Sequence, residues 1–484
     1  MMNLSTERLL LLKQIPSAKA IISSQSIYTF EELRQKVLKT SHFLMNNGIE
    51  SNNHIGIFSQ NNIDFVIAVL ALWLLSAVPV PINTRLTESE INEQFSEANC
   101  KSVLVQKELR DRIEKSEIKI IELNPELNAE VAFKGRNELQ LQDPAVIIFT
   151  SGSENKSKGV ILSFGSLFNS AINSNHLLRY THSDRWLASL PFYHIGGFSI
   201  ITRSLVFGIP VIIPNSLTST DISNSLLDNQ PTFISLVAAQ LKQLVEEEIK
   251  PNPELKNCLL GGGFTDNELI KNAVELGWPV NKVYGSTETS SFVTALLKDE
   301  FIFKPRAVGR PVPSNKVLIL DDKENELKPF EIGEVVVQSN ALMVCYTNEN
   351  ETKKNLREGF YYTGDLGYLD EDGYLFIEGR KNYLISTGGE NVNPKEVENA
   401  LLQHPLISEV AVFPIEDKEW GEIVAASVVL KDSSVKYSDD KLKSFLKGRI
   451  AGFKIPKRIF FEESLPKTEL GKVETEKLAK RYML

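Results

Sequence analysis

The sequence predicts an α/β fold: a large N-terminal domain of doubly wound sheets with a small β-barrel-like unit, then a small mobile α+β C-terminal domain. Three observations point there. From His54 onward, short apolar runs alternate with helical patterns, the signature of parallel strands covered on both faces. The chain has 484 residues, more than one hydrophobic core usually serves. A hinge-like polar segment near Asn382 separates two differently patterned regions, so the predicted domains are 1–381 and 382–484.

Composition narrows the function classes. Apolar content of 42% and charged content of 24% are those of an ordinary globular protein. Lys+Arg 53 against Asp+Glu 62 gives a net charge of -9, which argues against nucleic acid as a partner and favours small-molecule work. Cys100, Cys258 and Cys345 are far apart with no paired spacing, as expected in a reducing cytoplasm. The opening MMNLSTERLLLLKQ lacks the apolar core and cleavage site of a signal peptide. Ser76 and Pro79 interrupt the longest apolar run, so no membrane span is expected. A homo-oligomer is compatible with all of this.

The elements follow in order. Residues 54–58 read as a strand, about 64–75 as a helix and 78–82 as a second strand, with Thr87 and Glu90 placed to cap the next helix. Strand 145–149 runs into TSGSENKSKG at 150–159. Thr150, Ser151, Gly152, Ser153 and Lys158 there offer hydroxyls, backbone N–H groups and positive charge to a phosphate chain, although a polar β-turn would use the same residues. The segment is not a Walker A loop, since it lacks the GK[ST] ending. Strand 186–190 leads to PFYHIGG and an apolar helix ending near Phe207; His194 at its start is either a structural hydrogen-bonder or a pocket residue. Strands 209–213 and 231–236, with a helix through Glu248, continue the alternation. Gly261, Gly262 and Gly263 end a strand, leaving room for a flat ring against the backbone or making a tight turn. In YGSTET at 284–289, Tyr284 can stack on a base, Thr287 can bond a phosphate or carboxylate, and Glu288 can ligand Mg²⁺.

Strands at 317–320 and 333–338 form the barrel-like unit. Two β-rich runs, 366–370 and 374–378, flank an acidic glycine turn and make a hairpin. Asp365 stands at its entrance and Arg380 at its exit, as a plain surface ion pair or as a binding pair. Asn393 as N-cap, Pro394 at the first helical position and Glu396 closing a capping box start the next helix. Helix 393–403, strands 409–413 and 425–430, helix 439–447 and strand 458–461 complete an α+β domain.

TGD, the glycine hairpin, GR and GGENVNPKEVE together resemble the C-terminal signature of the adenylate-forming acyl-CoA synthetase superfamily. YGSTE resembles its Y-G-x-T-E, residues 150–159 its T-S-G-[ST]-T-G-x-P-K-G, and LPKTELGK its final P-[KR]-T-x-x-G-K. The resemblance runs from the first βαβ unit to Lys472. It implies ATP and Mg²⁺ bound through Thr150, Ser151, Gly152, Ser153, Lys158, Gly261, Gly262, Tyr284, Gly285, Ser286, Thr287, Asp365 and Arg380, with Glu288 on the metal. It also implies an acyl pocket at His194, Gly263 and Thr289, a hinge at Asn382, a CoA path along Gly388 and Gly389, and Lys472 as the adenylation lysine. Two departures stand out. Glu154-Asn155 replaces Thr-Gly, and Ser157 replaces Pro; Asn155 tolerates the positive φ of such a turn, while Glu154 sets a negative charge near the expected phosphates.

PINTRLT, PFYHIGG and the triple glycine are most similar to the 2-succinylbenzoate-CoA ligases of menaquinone biosynthesis. That substrate is a dianion, so a second cation is expected, with Arg203 the candidate. The implied reaction has a carboxylic acid, ATP and CoA as partners, with Thr150, Thr287 and Lys472 as catalytic groups. A ligase for another aromatic or medium-chain acid, an enzyme loading a carrier protein, and a non-catalytic nucleotide-binding relative are the alternatives.

Overall fold

The computed structural model describes residues 15–113, 118–123, 140–150, 157–263, 265–381, 385–387, 390–417, 421–432, 437–447, 449–450, 452–468 and 471–482. The chain forms two compact units. The first comprises Met1–Lys316 and Val337–Tyr361, the second Val317–Val336 and Tyr362–Leu484.

The first unit is built on a nine-stranded sheet. Its middle strands are parallel: Lys19–Ile22, Val211–Ile212, Trp186–Leu187, Phe233–Val237, Asn257–Gly261 and Val280–Ser286. Antiparallel strands close both edges, Ile27–Thr29 on one side and Ser291–Leu296 with Arg310–Pro311 on the other. A second, four-stranded parallel sheet orders Val78–Pro81, His54–Phe58, Cys100–Val105 and Lys119–Glu122. A three-stranded antiparallel sheet holds Pro144–Thr150, Lys158–Ser163 and Cys345–Tyr346.

Helix Ile63–Leu74 explains how these sheets share a core. Every residue from Phe65 to Leu74 is buried, as in a helix enclosed on all sides. Asn62 caps its start, and Trp73 Nε1 donates to the Ala145 carbonyl at 2.6 Å, tying the helix to the strand that enters the phosphate-loop segment. Thr87 and Glu90 form the predicted capping box.

In the second unit, Ile407–Asp417 and Gly421–Leu430 form a long antiparallel pair, with Ile385–Thr387 and Glu390–Val392 on one side and Arg458–Glu462 added in parallel. Helices Pro394–Leu402, Asp439–Leu446 and Thr475–Tyr482 cover it. The hairpin strands Phe360–Leu369 and Leu375–Arg380 are longer than the sequence suggested, because pairing runs on to Asp365↔Arg380.

Several local expectations are corrected. The strand at 186 stops at Leu187 and the one at 209 is confined to Val211–Ile212; the Ser189 hydroxyl turns to the Ser235 carbonyl, leaving the ladder. Asn393 does cap its helix, accepting from Lys395 N at 2.9 Å, but Glu396 closes no capping box. Its carboxylate lies 2.7 Å from Lys454 Nζ, 58 residues on, a tertiary partner that outcompetes the local one.

Candidate active site

Each unit carries part of the predicted site. In the first, Thr150 ends its strand opposite Lys158, and its hydroxyl donates to the Lys158 carbonyl at 3.4 Å. The two residues therefore form the neck of the phosphate-loop segment. Ser151, Gly152, Ser153, Glu154 and Asn155 lie outside the described residues. Lys158 Nζ meets Glu351 Oε2 at 2.5 Å, and that lysine holds the Glu351 carboxyl below its ordinary range.

YGSTET sits where Val280–Ser286 leaves the sheet and breaks into a 3₁₀ turn, Thr287–Thr289. Gly285 is required: a Cβ there would lie 2.0 Å from the Ser291 carbonyl oxygen. The return strand from Ser291 can approach only a residue without a side chain. Tyr284 and Thr287 are partly exposed, whereas Glu288 is 8% exposed. Glu288 Oε1 accepts from the Tyr346 hydroxyl at 2.8 Å. Burial first, and the Glu288 charge beside it, push the Tyr346 phenol upward, so it remains a donor. The Ser286 hydroxyl is buried with no partner among the described residues. Thr289 is fully engaged, its hydroxyl lying 3.0 Å from the Ser286 carbonyl and 2.7 Å from that of Ser291; it shapes the turn. Lys282, on the same strand face as Tyr284, has its ammonium pushed down to about 8 by burial.

Gly261 lies under Val283, whose Cγ2 would be 2.8 Å from an added Cβ; Gly262 adopts φ +88°, and a Cβ on Gly263 would meet nothing. Gly262 thus has a backbone reason to be glycine and Gly261 a side-chain one, whereas Gly263 has open space where a Cβ would go.

His194 and Arg203 lie on one element. His194 is the N-cap of helix Ile195–Phe207 without a side-chain cap bond, and burial pushes its imidazole down to about 4. The imidazole is neutral at physiological pH. Nine residues on, ~13 Å along the axis, Arg203 is 2% exposed. Its guanidinium donates to Ser199 Oγ at 2.7 Å, Ser291 Oγ at 3.2 Å and Ser174 Oγ at 3.3 Å. Its Cζ lies 5.2 Å from the Trp186 ring centroid and 5.4 Å from that of Phe292. Among the described residues no carboxylate pairs with it, and burial lowers its pKa. Ser291 joins Arg203 to the turn carrying Thr289, so these two predicted residues do converge. The three serines were not foreseen: Ser199 stands one helical turn before Arg203 and was legible from that spacing, whereas Ser174 and Ser291 come from distant elements.

In the second unit Asp365 and Arg380 face each other across the hairpin, with Arg380 Nε 2.7 Å from Asp365 Oδ1. Asp365 is 8% exposed whereas Arg380 is exposed, so the acid is sealed and the guanidinium reaches solvent. Thr363 anchors it: its hydroxyl accepts from Asp365 N at 3.0 Å and donates to Val335 O at 2.7 Å. The Lys472 ammonium lies in the field of this pair. Its pKa is lowered, first by the surrounding protein and then by Arg380, with Asp365 and Glu476 opposing. Lys472 is exposed and closes a small turn in which Thr468 N donates to its carbonyl at 2.8 Å. Asn382, Gly388 and Gly389 lie outside the described residues.

Hydroxyls at a strand end, a buried acid four residues after a partly exposed tyrosine, and an Asp–Arg pair on a hairpin are the residue types that can hold a nucleotide and its phosphates. The chain belongs to the AMP-binding enzyme family: residues 12–347 match the model of that family, and residues 396–472 match the AMP-binding enzyme C-terminal domain. It is 33% identical over 467 residues to a 2-succinylbenzoate–CoA ligase of Geobacillus sp. (strain WCH70), covering 95% of this chain and 93% of that one. Its fold matches that of o-succinylbenzoate CoA synthetase from Bacillus subtilis in complex with the acyl-adenylate intermediate, at TM-score 0.90 and 31% identity, covering 99% and 98% of the two chains. ATP-bound MatB from Rhodopseudomonas palustris superimposes at TM-score 0.89 with 26% identity, covering 100% and 99%.

Proposed function

We propose that this chain is an ATP-dependent, AMP-forming acid–thiol ligase that adenylates 2-succinylbenzoate and passes the acyl group to CoA, giving 2-succinylbenzoyl-CoA, AMP and pyrophosphate for menaquinone biosynthesis. The observation that carries the substrate assignment is Arg203, a buried cation joined through Ser291 to the turn of Thr289 and lacking a carboxylate partner among the described residues. A dianionic acid supplies that partner.

A carboxylate with an ordinary pKa near ~4 is ionised at neutral pH, so its attack on the α-phosphorus needs no general base. The chemical problem is charge, and fixed donors and cations solve it. Thr150 and Thr287 donate to the reacting phosphate, Lys472 brings the positive charge, Tyr284 stacks on adenine against the glycine edge, and Asp365 with Arg380 holds the ribose. Glu288 would hold Mg²⁺, whose positive charge would offset that of the phosphates. The donor set fits it: Glu288 offers a hard carboxylate oxygen, the ligand type Mg²⁺ takes, and Tyr346 already orients that carboxylate through Oε1.

Thiol attack on the acyl-adenylate then requires Lys472 to withdraw. That is the reason to assign a hinge at Asn382 and the pantetheine path to Gly388 and Gly389, with residues 382–484 turning as a cap. No helix among the described residues is long and apolar enough to cross a membrane, and the cysteines Cys100, Cys258 and Cys345 are free; the cytoplasm is the proposed compartment.

The test is product identification. Enzyme, MgATP, 2-succinylbenzoate and CoA should yield the thioester, AMP and pyrophosphate by mass spectrometry, and 2-succinylbenzoyl-AMP when CoA is omitted. ATP bound with neither product formed would reject the assignment in favour of a non-catalytic relative.

A further inference from the structure

Residues 345–355 carry none of the motifs, yet they touch both elements assigned to MgATP. The two-residue strand Cys345–Tyr346 pairs with the strand leaving the phosphate-loop neck, Tyr346 opposite Val160 and Cys345 opposite Ile161. From there Tyr346, 5% exposed, donates its hydroxyl to Glu288 Oε1 at 2.8 Å. Just upstream, Met343 N donates to the Glu288 carbonyl at 2.7 Å. The acid is thus held through main chain and side chain by one stretch.

The next residue continues the pattern. Thr347 N donates to the Gly159 carbonyl at 2.8 Å, and the Thr347 hydroxyl donates to Glu97 Oε1 at 2.6 Å. Glu97 Oε1 also accepts from Gly159 N at 3.3 Å. A Cβ on Gly159 would lie 2.7 Å from Thr347 Cγ2, so the stretch sits directly on the loop neck. Asn348 then caps helix Glu349–Asn355, and Thr352 Oγ1 accepts from Tyr346 N at 2.9 Å. One turn into that helix, Glu351 reaches Lys158, and Asn355 Nδ2 steadies it at 3.2 Å from Oε2.

We propose that residues 345–355 are a brace that sets the Glu288 carboxylate and the phosphate-loop neck at a fixed separation, with Tyr346 and Glu351 as positioning residues for MgATP. With Oε1 committed to Tyr346, Glu288 presents its other oxygen in one direction, as partners of metal ligands generally do. Lys158 is neutralised by Glu351 and acts through the neck it anchors, not as a direct phosphate ligand. This rests on the reading of Glu288 as the Mg²⁺ ligand.

The test measures half-saturating Mg²⁺, KM for ATP, KM for the acid, and kcat for Tyr346→Phe, Glu351→Gln, Lys158→Gln, Glu288→Gln and the Lys158→Gln/Glu351→Gln double variant. Mn²⁺ binding to the enzyme–ATP complex, followed by electron paramagnetic resonance, gives a readout independent of turnover. Tyr346→Phe removes one oxygen from a packed ring and should weaken Mg²⁺ and Mn²⁺ about tenfold, leaving KM for the acid unchanged. Lys158→Gln and Glu351→Gln should raise KM for ATP by similar factors, and the double variant by no more than either, because the two residues form one unit. Unchanged metal dependence in Tyr346→Phe, alongside a shift in Glu288→Gln, would overturn the brace. So would a Lys158→Gln defect that is unaltered by, and multiplies with, that of Glu351→Gln. If Glu288→Gln itself left metal binding intact, the metal-ligand reading would fall instead.

Discussion

Replacing Arg203 with Met separates two effects that usually travel together. The guanidinium is sealed from water and held by serine hydroxyls and two ring faces, without a described counter-ion. A buried charge of this kind is expensive, and replacing it with a well-packed apolar side chain is often neutral or stabilising. Its removal also orphans little. Ser174 Oγ still donates to Ala171 O at 2.7 Å, and Ser199 Oγ to Gly196 O at 3.2 Å. Methionine fills most of the stem's volume, so Tm should stay the same or rise. Binding of the second substrate carboxylate should suffer by about 2–5 kcal/mol, the usual range for truncating one partner of a buried charge pair. That is roughly thirtyfold to several-thousandfold in kcat/KM for 2-succinylbenzoate. Benzoate, with no second carboxylate, should be turned over as by the unmodified enzyme. Steady-state kinetics with both acids, alongside a thermal melt, decides the matter. Equal losses for the two acids, or a large fall in Tm, would show that Arg203 serves the core and not the substrate.

The remaining expectations concern other parts of the site. Burial sets the His194 pKa at about 4, below the ordinary 6.5. As pH falls below 6.5 the unfolded chain therefore takes up the proton first, and the folded state loses up to about 3 kcal/mol by pH 4; His194→Gln should flatten that part of the Tm–pH curve, and parallel curves would refute it. Lys472→Ala should slow adenylation at least about a hundredfold, as loss of a transition-state charge donor does, yet spare thioester formation from supplied acyl-adenylate; equal loss in both half-reactions would contradict its assigned role. Gly285→Ala would force a Cβ to 2.0 Å from the Ser291 oxygen and should give insoluble protein or a Tm many degrees lower; a melt matching that of the unmodified protein would show that the turn can open there.

Much of the site was legible because its signals are local. The hairpin could be read from two β-rich runs about an acidic glycine turn, and its register places Asp365 opposite Arg380. Thr87 and Glu90 form their box because both partners lie within one turn. Where a partner came from far along the chain, local reasoning failed: Glu396 turns to Lys454, and Glu351 pairs with a lysine 193 residues away. Tyr346 was missed for the same reason, although an N-capped acidic helix directly after a lone tyrosine was visible in YTNENET. Arg203 was suspected because the implied substrate is a dianion; of its serine partners only Ser199, one turn away on the same helix, had a sequence spacing to betray it, while Ser174 and Ser291 come from distant elements.

Selection of a dianionic aromatic acid over monoanionic acids is the property on which the role of Arg203 rests. The most direct measurement is kcat/KM for pyrophosphate release, with CoA present, across 2-succinylbenzoate, benzoate and octanoate. 2-Succinylbenzoate should exceed the two monoanions by at least about thirtyfold, the lower bound for one buried charge pair. Turnover of benzoate or octanoate with none of 2-succinylbenzoate would contradict it.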